Sequence, residues 1–138
     1  MTRIADIMTH IVEVIQRDDT IQHAAQRMHD LDVGSLPVVD AKALVGIVTD
    51  RDIAVRGVAT GMIPQEARVS DVMTADVHWC SADETVEQVL ALMGDEQVRR
   101  LPVLNAAKEI VGIVALGDLA TRQPAPTDEA LREISTPD

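Results

Sequence analysis

The chain has 138 residues, a formal net charge of −11, and one Trp with no Phe or Tyr. That balance leaves no basic face for nucleic acid or an anionic membrane, and no aromatic platform on which bases would stack. A lone Cys80 excludes an intrachain disulfide, no apolar run reaches the length of a membrane span, and no basic-then-apolar leader opens the chain, so the sequence reads as soluble and cytoplasmic.

Along the chain, nearly the same text occurs twice. Asp6-Ile7-Met8-Thr9 returns as Asp71-Val72-Met73-Thr74, and Leu36-Pro37-Val38 as Leu101-Pro102-Val103, both 65 positions on. Val45-Gly46-Ile47-Val48 returns as Val111-Gly112-Ile113-Val114, 66 positions on. Ordered, nearly gap-free self-similarity means two copies of one supersecondary unit, related by an approximate twofold axis. Each copy is too small to be more than marginally stable alone, which predicts a shared core.

Each copy opens on a short apolar turn, Ile4 to Met8 or Val69 to Met73, followed by an extended segment, Val12 to Ile15 or Val77 to Cys80. Alignment of the copies sets Trp79 against Val14, which predicts an inward-facing Trp79. Asp18-Asp19-Thr20 and Ser81-Ala82-Asp83-Glu84 read as helix starts, the second as a capping box of Ser81 and Glu84. The helices then place Ile21, Ala24, Ala25 and Met28, or Val86, Val89, Leu90 and Met93, on one face.

Two β-hairpins follow, Ser35 to Val39 with Leu44 to Thr49 and Arg100 to Leu104 with Ile110 to Ala115, and a last helix starts at Asp50 or Leu116. Val58 to Arg68, with Gly61 and Pro64, reads as the connection between copies. The expected organisation is repeat 1 over 1–60, linker 61–68, repeat 2 over 69–122 and a polar tail 123–138 with one weak helical turn before Pro137. The fold class is α/β in the mixed α+β sense, β-α-β-β-α twice.

The exit from the last strand carries the chemistry. In Gly46-Ile47-Val48-Thr49-Asp50-Arg51-Asp52 the glycine admits a close backbone or ligand, and the helix start presents N–H groups to a phosphate. Thr49 can donate to an anionic oxygen, and Asp52 can accept from vicinal ribose hydroxyls. Thr49 and Asp52 also fit a capping box that needs no ligand. The second copy reads Gly112-Ile113-Val114-Ala115-Leu116-Gly117-Asp118, where the hydroxyl is lost and the carboxylate kept. Arg99-Arg100 stands where the first copy has Gly34-Ser35, a pair suited to clamping phosphate or to a solvated strand end.

These paired openings, Leu-Pro-Val strands and Gly-Ile-Val endings resemble a tandem of cystathionine-β-synthase (CBS) domains, a Bateman module, over about residues 1 to 121. The resemblance extends to the stand-alone, hypoxic-response-like members. It implies two repeats packed by pseudo-twofold symmetry through their sheets, with clefts between them for adenosine-containing ligands: AMP, ADP, ATP, sometimes NAD or S-adenosylmethionine. The ribose-phosphate motif of the family falls on Thr49, Asp50, Arg51 and Asp52 and half on Ala115 and Asp118, with Arg99 and Arg100 toward phosphate. Leu36, Ile47, Leu101 and Ile113 would surround the adenine. The resemblance further implies a homodimer and a regulatory protein without catalytic activity, acting on an effector protein in trans.

Two other readings stay open. One is a module that dimerises and docks a partner without any small ligand. The other is a metal or redox sensor, because His78 and Cys80 at strand spacing would share one face. No nucleophile–base pair, paired carboxylates or full metal set points to an enzyme.

Overall fold

In the computed structural model, which describes residues 2–10 and 12–122, both hairpins form where strand periodicity places them. β2 (Ser35–Asp40) pairs antiparallel with β3 (Ala43–Thr49), and β5 (Arg100–Leu104) with β6 (Ile110–Ala115). A short parallel strand flanks each hairpin, β1 (Ile15–Gln16) on β2 and β4 (Cys80–Ser81) on β5. Parallel neighbours need a crossover. It is supplied by α1 (Ile21–Leu31) in the first sheet and α3 (Val86–Glu96) in the second. Beyond β3, α2 (Asp50–Asp52) widens into a π-helical turn (Ile53–Gly57); beyond β6 comes α4 (Leu116–Arg122). Among the described residues the result is mixed α+β with two three-stranded sheets.

Two local readings need correction. The short strands start later than expected, so Ile15 and Cys80 are the inward residues, 2% and 0% exposed. Strand side chains alternate between faces, so a slip of one residue reverses the facing of each. Trp79 therefore points out, 37% exposed, with the Lys108 ammonium 4.1 Å from its ring centroid in a cation–π contact.

The first helix is capped within the expected start, at Thr20, while the second cap lies one residue beyond, at Thr85. Thr20 Oγ1 accepts from His23 N at 3.1 Å, and Thr85 Oγ1 from Gln88 N at 3.2 Å, with Gln88 Oε1 accepting from Thr85 N at 2.9 Å. Glu84 does accept from Ser81 N at 2.8 Å, but this closes the turn before α3. A threonine adjoining the first apolar turn can reach the N–H of the third helical residue; Ser81 is too early to do so. The helix faces bury Ile21, Ala24 and Met28, and Val86, Val89, Leu90 and Met93, while Ala25 is exposed.

The Asp-φ-Met-Thr openings decide how the chain packs. Residues 2–9 dock on the sheet of the second copy: Ile4 N donates to Glu84 O at 2.9 Å, Val86 N to Thr2 O at 3.2 Å, and Thr9 N to Ile113 O at 2.8 Å. Residues 67–74 dock in the same way on the first: Val69 N to Asp19 O at 2.8 Å, Ile21 N to Ala67 O at 3.0 Å, and Thr74 N to Ile47 O at 2.9 Å. Arg3 and Arg68 each donate to a turn carbonyl, Asp83 O at 2.7 Å and Asp18 O at 2.9 Å. We call these two segments straps.

Two compact units follow, one continuous from Glu13 to Val77, the other joining the chain up to Val12 with the chain from His78. The unit that packs around each sheet is not the unit that repeats along the chain. One core gathers Ile15, Ile21, Met28, Leu36, Val38, Val48, Val69 and Val72. The other gathers Ile4, Ile7, Met8, Cys80, Val89, Leu90, Met93, Leu101 and Val114.

The connection between copies begins with a 3-10 turn (Val58–Thr60), which Gly61 closes at φ +86°, a left-handed conformation that glycine adopts without a Cβ clash. The expected tail at 123–138, with its helical turn, lies outside the described residues. Among the described residues no helix is long and apolar enough to cross a membrane.

Candidate functional site

The β3 exit forms because the last strand residue is also a helix cap. Thr49 is extended (φ −116°, ψ 162°), and its Oγ1 accepts from Asp52 N at 3.0 Å while Asp52 Oδ2 accepts from Thr49 N at 3.0 Å. The capping box thus closes fully. Chemical capacity remains: the threonine hydroxyl keeps a proton to donate, and a carboxylate has lone pairs beyond one bond. The Asp52 side chain is 13% exposed, and its Oδ1 lies 3.7 Å from Arg56 Nε. Asp50 and Arg51 are exposed, with Asp50 Oδ1 accepting from Arg51 N at 2.8 Å.

The β6 exit repeats half of this. Asp118 Oδ2 accepts from Ala115 N at 3.4 Å, so the carboxylate caps without a reciprocal hydroxyl. Arg100 sits directly across the ladder from Ala115, and Arg99 O accepts from Leu116 N at 2.8 Å. Arg99, Arg100, Ala115 and Asp118 are thereby gathered at one strand exit; both arginines are exposed.

The expected adenine wall divides. Leu36 and Leu101 belong to the two cores at 2% and 1% exposure, so their side chains offer no surface and only the backbone of their strands is left to meet a ligand. Ile47 and Ile113 are half-buried and hold the straps through main-chain pairs with Thr74 and Thr9. The glycine beside each admits backbone: a Cβ on Gly46 would stand 2.6 Å from Thr74 O, and one on Gly112 2.9 Å from Thr9 O.

Arg56, which the motif reading passed over, touches Asp52. The available signal was the spacing Asp52-x-x-x-Arg56, repeated as Asp118-x-x-x-Arg122. A separate groove of about 410 Å³ runs between α1 and the helical turns after β3, past Met28, Val33, Ile53 and Val58, and includes only Asp50 of the expected site residues.

His78 and Cys80 do not form a paired site. Cys80 is fully buried, and burial, aided by the Glu84 carboxylate, pushes its thiol from 9.0 up to about 12. The thiolate is the form that ligates metal or reacts, so this sulfur is inert at neutral pH. His78 is exposed and lies 3.3 Å from Glu96 instead. Among the described residues no cluster of three His, Cys, Asp or Glu forms.

A raised folded pKa favours the native state fully below pH 9 and ever less as pH climbs toward about 12, because the unfolded thiol ionises first. Native protein at pH 8 is therefore expected to exclude a thiol reagent until denaturant is added. Cys80→Ala should flatten the alkaline loss of stability above pH 9. Rapid labelling of the native protein would contradict the buried, neutral thiol.

The chain belongs to the CBS domain family, whose profile matches residues 4–57 and 69–124. It is 41% identical over 144 residues to the uncharacterized protein YlbB of Bacillus subtilis, covering 100% of this chain and 95% of that one. Among solved structures it is similar to Hypoxic Response Protein I with two coordinated zinc ions, at TM-score 0.76 and 35% identity over 89% of this chain and 100% of that one. It is also similar to the CBS domain pair of protein MJ0100 in complex with 5′-methylthioadenosine and S-adenosyl-L-methionine, at TM-score 0.68 and 28% identity over 88% and 94% of the two chains. The chain is a CBS-domain pair.

Proposed function

We propose that this CBS pair is a regulatory sensor of adenosine-containing ligands, AMP, ADP, ATP or NAD, and that occupancy shifts it between conformations which an effector protein in trans distinguishes. The observation that carries this reading is the β3 exit: a threonine hydroxyl and a nearly buried carboxylate held together at a helix start. Phosphate would meet Thr49 and the exposed Arg51, and ribose hydroxyls would donate to Asp52. The MJ0100 pair, in complex with two adenosine compounds, supports the ligand class. At the β6 exit Asp118 takes the ribose role with Arg99 and Arg100 toward phosphate, and Ala115 supplies no hydroxyl. The second site is accordingly the weaker one.

We propose in addition that the protein is a homodimer. Val33 and Val58, at 39% and 59% exposure, line the groove that a second copy would cover.

Calorimetric titration with AMP, ADP, ATP and NAD tests the reading. Hydrogen bonds to a charged group contribute about 1.5–3 kcal/mol, so Asp52→Ala is expected to weaken binding by roughly 10- to 100-fold. Asp118→Ala should weaken only the second site. If none of the four binds at millimolar concentration, the nucleotide reading is wrong; if both variants bind like wild type, the residue assignment is. A ligand-free docking module is the second reading, favoured by the closure of the Thr49–Asp52 box on itself. It predicts a dimer that none of the four compounds alters. A zinc arm covers the metal held by Hypoxic Response Protein I. Any stoichiometric zinc uptake by this chain should survive Cys80→Ala.

A further inference from the structure

Arg56 lies between the proposed ribose carboxylate and a strap. Its Nε is 3.7 Å from Asp52 Oδ1, and its Nη1 points at Val72 O and Met73 O, 3.5 and 3.4 Å away. The main chain under it is anchored, because Thr60 Oγ1 donates to Arg56 O at 2.7 Å and to Gly57 O at 3.0 Å. Arg56 sits in the π-helical turn, and such turns recur where a helix is distorted to aim a side chain for function. An i,i+4 ion pair at 3.7 Å whose guanidinium is exposed adds little stability, so fold maintenance is a poor account of it. The repeat supplies an independent argument. Where Thr49 has become Ala115, the Asp–Arg spacing is kept as Asp118 and Arg122. The spacing outlasts the reciprocal cap.

We infer that Arg56 is the positioning residue that couples ligand at Asp52 to the docking of the 67–74 strap, an inference that rests on the nucleotide reading of Asp52. Without ligand, the guanidinium divides its donors among Asp52 and two strap carbonyls, all at long range. Ribose hydroxyls donating to Asp52 compete with the guanidinium for Oδ1, the oxygen that Thr49 N does not engage. The guanidinium then turns to Val72 O and Met73 O, and those contacts shorten. Occupancy thereby fastens the strap, and by linkage a fastened strap raises ligand affinity by the same factor. Lysine cannot substitute, because a point donor does not span a carboxylate and two carbonyls as a planar fork does.

Hydrogen exchange tests this on the full chain, with AMP, ADP, ATP and NAD as probes at saturation for each variant. The reporters are the Met73 and Thr74 amides, which donate to Val69 O and Ile47 O. In wild type, a bound probe should slow both on the order of 5-fold, within the usual range of coupling between sites. Arg56→Gln should bind the same probe roughly 5-fold more weakly and, once saturated, show less than about 2-fold slowing. Arg56→Lys should recover part of the affinity and none of the slowing. A merely structural role would loosen the strap with and without ligand, leaving the ligand-induced slowing intact. Equal slowing in saturated Arg56→Gln and wild type overturns the coupling while leaving the nucleotide site standing. Failure of all four probes to bind wild type overturns the site itself, and the coupling with it.

Discussion

Removing residues 2–10 is expected to unfold the unit built on β4, β5 and β6, while the unit from Glu13 to Val77 keeps its protection. The first strap supplies Ile4, Ile7 and Met8 to that core, at 0%, 6% and 6% exposure. Full burial of such a side chain contributes about 1.5–3 kcal/mol, so the three together are worth roughly 4–9 kcal/mol. That is comparable with the whole stability of a small domain, about 5–15 kcal/mol. The Thr9–Ile113 main-chain pair and the Ile4–Glu84 bond go as well. Amide exchange resolved by residue is the measurement. Amides of β5 and β6 should exchange like an unfolded chain, while those of β2 and β3 stay slow. Undiminished protection across β5 and β6 would mean that the strap is an accessory and not part of the core.

The second large effect is at the paired glycines. In Gly46→Ala the new methyl would stand 2.6 Å from Thr74 O and 2.9 Å from Met73 Sδ. In Gly112→Ala it would collide with Met8 Sδ and stand 2.8 Å from Met8 Cγ and 2.9 Å from Thr9 O. A methionine tip can swing aside, but a strap carbonyl can retreat only by giving up its ladder bonds. Overpacking costs about 1–3 kcal/mol, and each lost backbone bond adds roughly 0.5–1.5 kcal/mol. We expect a loss of about 2–4 kcal/mol for either variant in denaturant unfolding, larger for Gly46→Ala because its nearest neighbour is backbone. Gly94→Ala is the control. It lies inside α3 with nothing within 4 Å of an added Cβ, so helix propensity should make that variant up to about 1 kcal/mol more stable. Equal tolerance of all three substitutions would refute the close strap crossing.

Much of this was readable along the chain, for definite reasons. The hairpins were legible because two short apolar runs, Leu36 to Val39 and Val45 to Val48, flank a polar turn of a few residues, so pairing is local. The helix faces were legible because Ile21, Ala24 and Met28 recur at helical spacing. Thr49 and Asp52 were legible as a motif. Whether they cap each other or wait for a ligand was not, since the same atoms serve both. Trp79 was misplaced because the facing of a two-residue strand depends on register against its neighbour, and two residues carry too little alternation to set it.

The duplication, read from sequence alone, determined that two β-α-β-β-α units exist and which positions differ between them: Thr49 against Ala115, Ser35 against Arg100. Local periodicity and turn chemistry suffice for that. Only the tertiary structure decided that each opening strap leaves its own copy and closes the sheet of the other. An apolar Ile-Met turn carries no mark of which distant groove it fills. Geometry makes the choice, where a bare glycine on one strand leaves room for a carbonyl arriving from far along the chain. The same crossing brings Val72 and Met73 under Arg56, a neighbourhood that no reading of the linear text would have assembled.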